Sequence, residues 1–189
     1  MKKLGRDCTL VPMDLKNYEG IDRLGGIIHE RWGQLDGLFG NAGILGDIMP
    51  ASQIEPKTFE DVMAINMTAN YRLIRSLDPL LRASPSGRAL FVTSGVAKSR
   101  RAYWSAYAAS KAALEAYVQC YAKEMSVTNL KVNLMNPGAT RTSMRAKAMP
   151  GEDPNILPQA SDIAPLVVEM LSPNDEANGE IVWYRDWVG

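Results

Sequence analysis

Histidine and cysteine are nearly missing from this chain. Its 189 residues hold one histidine, His29, and two cysteines, Cys8 and Cys120, far apart and with no CxxC spacing. Zinc sites draw on several Cys and His side chains together, so no metal centre is expected. Two separated thiols read as reduced cysteines, which fits a cytoplasmic location better than a disulfide scaffold. A lone early histidine also leaves a serine hydrolase without its base, and the GxSxG nucleophile elbow is absent. No run approaches eighteen consecutive apolar residues, which excludes a membrane-spanning helix on length. The basic stretch Met1 to Asp7 has no apolar segment behind it and does not read as a signal peptide. A surplus of charge is missing too, since 21 Lys and Arg balance 21 Asp and Glu. Nothing electrostatic therefore points to nucleic acid or an acidic membrane, and the run Lys98 to Arg101 reads as a solvated loop.

What is present is a chain 46% hydrophobic, long enough for one sizeable core and too short to require two. Short apolar runs alternate with long helical patterns, the mark of an α/β fold with parallel strands and helical crossovers. Strands are predicted at 8–12, 35–39, 89–93, 130–135 and 180–184. Helices are predicted at 18–32, stopped by Gly33, at 58–81 and at 105–125, with a last one opening at Ser161 as its N-cap. Ser84 to Gly87 is a turn, and 139–160, rich in proline and polar residues, reads as an excursion from the core.

The informative element is Tyr107-Ala108-Ala109-Ser110-Lys111. Positions four apart on a helix share a face. A lysine ammonium beside a phenol favours the phenolate, so Tyr107 is expected to titrate below its free value of about 10. Such a tyrosine can give a proton to a carbonyl oxygen or take one from an alcohol. The short motif is weak by itself. Ser94, however, ends a buried strand at its carboxyl end, where open α/β sheets place ligands. Asn66 sits inside a helix that asparagine does not favour, flanked by Ile65 and Met67 on the core side.

Together with Asn41-Ala42-Gly43 after a strand and Pro137-Gly138-x-x-x-Thr142, these residues resemble the short-chain dehydrogenase/reductase family, in its classical branch. The order and spacing match from about residue 8 onward, and the text around Arg72 and from Gly87 to Ala97 is most similar to bacterial 3-oxoacyl-carrier-protein reductases. The resemblance implies a single Rossmann-like domain, a doubly wound parallel sheet over 1–189, binding NAD or NADP. It implies Tyr107 as acid/base, with Lys111 lowering its pKa and holding the nicotinamide ribose. Ser94 would orient the substrate oxygen, and Asn66 would bind a water in a proton relay. Asn41, Ala42 and Gly43 would pack beneath the cofactor, Asp14 would meet the adenine edge, and Pro137, Gly138 and Thr142 would contact the nicotinamide end. Plainer readings exist for three of these: Gly43 as turn chemistry, Asp14 as a loop cap and Thr142 as an ST-turn.

One part of the family's pattern does not appear. The glycine-rich TGxxxGxG turn that holds a pyrophosphate has no counterpart in residues 1–40, and Gly25-Gly26 lies inside a helical pattern with no strand before it. The expectation is a partial fold without the first βαβα unit, read as a fragment of a longer enzyme with weakened cofactor affinity. The strand at 35–39 would then be left with an unpaired edge. Homodimers or tetramers are implied through helices near 58–82 and 105–125, with Tyr71, Leu80, Leu114, Tyr117 and Tyr121 as candidates either for that contact or for the core. Tyr103, Trp104 and Met144 suggest an apolar wall for a small carbonyl or alcohol substrate. An extended-branch epimerase would need a longer carboxyl-terminal domain. A catalytically idle module, serving only structure or dimerisation, is the rival from another class.

Overall fold

The computed structural model describes residues 8–189; the basic stretch Met1 to Asp7 lies outside the described residues. The first element is helix α1 (Tyr18–Trp32), capped at its start by Asn17, whose side chain accepts from the Gly20 amide, and ended by Gly33 at φ 73°. Strand β1 (Gly37–Gly40) follows. A long helical run then comprises α2 (Pro56–Met63), a π turn at Ala64–Thr68 and α3 (Ala69–Ala83). Strand β2 (Arg88–Val92) leads through a single turn, α4 (Val96–Ser99), into α5 (Ser105–Glu124). After β3 (Lys131–Asn136) come α6 (Ser143–Ala148), α7 (Ala160–Met170), β4 (Ile181–Trp183) and a last turn α8 (Tyr184–Trp187).

Among the described residues four strands form one parallel sheet in the order β1-β2-β3-β4. Alternation along each strand divides the core into two layers. Leu38, Phe91 and Leu134 point to one face, where Ile74, Leu77 and Leu81 of α3 and Leu114 and Val118 of α5 cover them. Leu90 and Met135 point to the other, against Ile163, Leu166 and Met170 of α7. Apolar residues on both faces explain why 89–93 reads as a continuous hydrophobic run. Arg88 is buried within this frame, its guanidinium donating to the carbonyls of Ser172 (3.1 Å), Gly87 (2.9 Å) and Pro173 (2.7 Å). Glycines mark two close crossings. Gly25 of α1 lies on Ser76 of α3, its amide donating to Ser76 Oγ at 3.0 Å. A side chain at Gly40 would strike the Phe91 ring and stand 2.7 Å from Asn70 Oδ1.

The structure corrects several expectations. Residues 8–12 form no strand, with Leu10 and Val11 exposed and no paired strand among the described residues. Among the described residues β1 is the sheet edge, and Phe39, on the face away from α3, is 38% exposed. The excursion 139–160 contains helix α6, begun by Thr142, whose hydroxyl accepts from the Arg145 amide at 3.1 Å. Helix α7 opens two residues earlier than Ser161, on a capping box in which Asp162 accepts from the Gln159 amide (2.7 Å). Leu80, Leu114 and Tyr121 belong to the core, the last with its hydroxyl on Asp78 (2.8 Å). Tyr71 and Tyr117 stay half-buried, edge to face at 5.8 Å.

Candidate functional site

Parallel strands aim their carboxyl ends at one side of the sheet, and the segments after β1, β2 and β3 meet there around a cavity of about 510 Å3. Asn41, Ala42 and Gly43 follow β1 along one wall. Ser94 follows β2, and Asn136, Pro137 and Gly138 close β3. Helix α5 brings Tyr107 and Lys111 to the same space, one turn apart. Thr142, at the head of α6, completes the group. Ten of the eleven residues singled out in the sequence thus lie on or directly behind one cavity.

Lys111 is 3% exposed, and its Nζ donates to the Val92 carbonyl at 2.7 Å, 5.9 Å from the centre of the Tyr107 ring. Burial disfavours its charge and brings its pKa down to about 8, with the Glu115 carboxylate opposing the fall. Asn66 is wholly buried in the π turn. Its Oδ1 accepts from the Ile44 amide (2.8 Å), while Nδ2 donates to the Ile44 carbonyl (2.9 Å) and to Ser110 Oγ (3.0 Å). The Asn66 carbonyl accepts from Asn70 Nδ2 at 2.8 Å. The extra residue of the π turn places this amide between the wall loop and α5, so Asn66 lies behind the cavity and fixes its lining.

The eleventh residue is elsewhere. Asp14 is exposed and accepts from the amide of Lys16 (2.9 Å) through its side chain and of Asn17 (2.8 Å) through its carbonyl. It is a turn cap ahead of α1, outside the cavity lining. Tyr103 is also outside it, 60% exposed at φ 71°, whereas Trp104 and Met144 do form apolar wall. The phenol of Tyr107 reverses the expected sign. Burial raises its pKa, and the Ser94 hydroxyl only partly offsets this. The ammonium that was to lower it is turned to the Val92 carbonyl and has itself lost water.

Sequence reasoning passed over three neighbours. Asn136 is buried, accepts from the Gly138 amide at 3.0 Å through Oδ1, and keeps Nδ2 without a partner. Its place just before Pro137-Gly138 at a strand end was the available signal. Arg145, also on the wall, is held by a two-pronged pair with Glu152, both contacts at 2.6 Å. Trp183, at the end of β4, lies against the bare Cα of Gly95; a methyl group there would be 3.1 Å from its Cη2. Chemically, the arrangement offers a protonated phenol, a hydroxyl beside it and a buried ammonium on one cavity with an apolar side, which is the equipment for moving a proton to or from an oxygen atom.

Comparison with known proteins places these features in context. Residues 1–153 match the short chain dehydrogenase family. An uncharacterised oxidoreductase, YciK of Escherichia coli K12, is 43% identical over 153 residues, covering 81% of this chain and 60% of its own length. The chain thus spans about three fifths of that curated relative. Among solved structures, a short chain dehydrogenase of Shigella flexneri 2a strain 301 complexed with NADP superposes with a TM-score of 0.92 at 38% identity, over 97% of this chain and 78% of that one. One from Escherichia coli CFT073 complexed with NADPH gives 0.91 at 38%, over 96% and 77%.

Proposed function

This chain belongs to the short-chain dehydrogenase family, and from that premise we propose that it is a nicotinamide-dependent oxidoreductase acting on a small carbonyl or alcohol, with Tyr107 as its acid/base. The observation that carries the reading is the convergence of Ser94, Tyr107 and Lys111 on one cavity at the carboxyl ends of β2 and β3. When bound, a nicotinamide cofactor supplies or accepts a hydride. NADPH is the cofactor to test first, because two similar solved structures hold NADP or NADPH.

The residues fit such a group. Gly43 has no side chain where a Cβ would stand 3.6 Å from Lys111 Nζ and 3.3 Å from Asn66 Oδ1, so the space above the ammonium is open. Asn136 adds a buried amide donor with no partner of its own. Asn41, Ala42, Gly43, Pro137, Gly138 and Thr142 would hold the nicotinamide end, together with Lys111. Asp14, outside the cavity lining, is left out of this assignment.

The chain's own chemistry follows from the environment of each group. Ser94 orients the substrate oxygen beside the phenol. Tyr107, a phenol already protonated at neutral pH and held further from ionising by burial, donates its proton to that oxygen in reduction and takes one back in oxidation. Lys111 places a positive charge behind the phenol and stabilises the phenolate left after transfer. Trp104, Leu45 and Met144 exclude water and favour an apolar substituent on the substrate.

The test is turnover by the 189-residue chain of a panel of aliphatic and aromatic ketones with NADPH or NADH, followed by loss of reduced-nicotinamide absorbance. Tyr107→Phe should lower kcat/KM by about 100- to 10,000-fold with little change in Tm. Equal rates in the two proteins would remove Tyr107 from the role, and a cofactor that neither binds nor turns over would remove the function.

A further inference from the structure

Among the described residues Lys111 is the one lysine buried in the core, and its hydrogen bond there is to a neutral carbonyl, that of Val92. A buried ammonium without an ionic partner tends to give up its proton. One turn further along α5 stands Glu115, half-buried on the same face. Its Oε1 accepts from Thr93 Oγ1 at 2.6 Å. Thr93 is the residue after Val92 and is itself fixed at the strand end, its amide donating to the Met135 carbonyl at 2.8 Å. Two consecutive residues of one strand end therefore grip two residues of one helix face, the carbonyl of the first holding the ammonium and the hydroxyl of the second holding the carboxylate.

We propose that Glu115 is a positioning residue for Lys111: pinned by Thr93, its carboxylate is the counter-charge that keeps the buried ammonium protonated and aimed at the cavity. The catalytic consequence rests on the oxidoreductase reading above, but the ionisation of Lys111 does not. The surroundings leave few competitors. On α5 the titratable groups near Lys111 are Tyr107 and Glu115. The end of β2 brings the Val92 carbonyl, Thr93 and Ser94. The π turn brings Asn66 and the wall loop brings Gly43, none of which titrates in the working range. Across the cavity Arg145 is engaged by Glu152. Glu115 is the one carboxylate that raises the lysine's pKa against its burial.

The test follows the side-chain NMR signal of Lys111 in isotopically labelled full-length chain against pH, assigned by its loss in Lys111→Arg. Glu115→Gln keeps an acceptor for Thr93 but removes the charge. It should move the Lys111 midpoint to lower pH by about one unit, with circular dichroism unchanged. Glu115→Asp should restore part of that shift. Thr93→Val, which frees the carboxylate without discharging it, should give a smaller shift of the same sign. The alkaline limb of kcat/KM should move with the midpoint in each variant. An unchanged midpoint in folded Glu115→Gln overturns the proposal; if that variant fails to fold, an unchanged midpoint in Thr93→Val does so. Absence of turnover in the unmodified chain would sink the oxidoreductase reading, and the NMR midpoints would still decide for or against Glu115.

Discussion

Replacing Asn66 by alanine takes three hydrogen bonds from one place: two to the main chain of Ile44, at 2.8 and 2.9 Å, and one to Ser110 at 3.0 Å. A typical intramolecular hydrogen bond contributes a net of about 1 kcal/mol, and leaving a buried group unpaired costs more. Ser110 Oγ keeps a second contact, donating to the Tyr107 carbonyl at 2.8 Å, so the unpaired groups are mainly the amide and carbonyl of Ile44. The total loss is about 3 to 4 kcal/mol. For a chain of this size that corresponds to a fall in Tm of roughly 6 to 15 °C. Urea and thermal unfolding followed by circular dichroism would measure it. Hydrogen exchange at the Ile44 amide should accelerate before global unfolding, because the wall loop at 41–45 loosens first. Asn66→Asp preserves an acceptor for the Ile44 amide but sets a carboxylate oxygen against the Ile44 carbonyl, so it should cost at least as much. A loss below about 1 kcal/mol in Asn66→Ala, or unaltered exchange at Ile44, would refute the idea that this amide ties the loop to the π turn.

Other substitutions probe the frame and the ionisable groups. Arg88→Ala removes the guanidinium bonds to Ser172, Gly87 and Pro173, leaves the Pro173 carbonyl without a donor and empties a buried site, and should lower stability by about 3 kcal/mol in urea unfolding, with the cavity residues untouched. Gly40→Ala drives a methyl group into the Phe91 ring and should cost about 1 to 3 kcal/mol, visible as a lower urea midpoint. Lys111 has a folded pKa of about 8, below its unfolded value. Between about pH 8 and 10.5 the unfolded chain binds more protons, and stability should rise with pH through that window. Lys111→Met should abolish that rise. Tyr107 has the opposite sign: its folded pKa is raised, so stability should fall above pH 10 as the unfolded phenol ionises first, less so in Tyr107→Phe.

Periodicity and end signals made much of the architecture readable. Helix α1 falls at 18–32 as predicted, because Gly33 supplies a left-handed stop that no other residue takes so cheaply. Strand β2 was legible as a run covered on both faces, and β3 as a strand ahead of a Pro-Gly turn. Residues 8–12 show the limit of this reading, since an apolar run specifies a strand only when a neighbour offers hydrogen bonds, and local composition does not encode that neighbour. Helix α6 hid in a proline-rich excursion because it is only six residues long, too short for a helical period to stand out, and its start depends on one threonine side chain. At the site, helix spacing paired Tyr107 with Lys111, and a strand-end position together with the family resemblance added Ser94. The sign of the Tyr107 shift was not legible, because desolvation and the direction of the ammonium are set by tertiary packing.

The tryptophan on Gly95 ties the far end of the chain to the residue following Ser94. Alanine at position 95 would press on the indole, so a larger residue at 95 would call for a smaller one at 183. The last strand is thereby a steric partner of the serine's own loop, and trimming Trp183 to leucine should loosen the segment at Ser94 from a position outside the cavity lining.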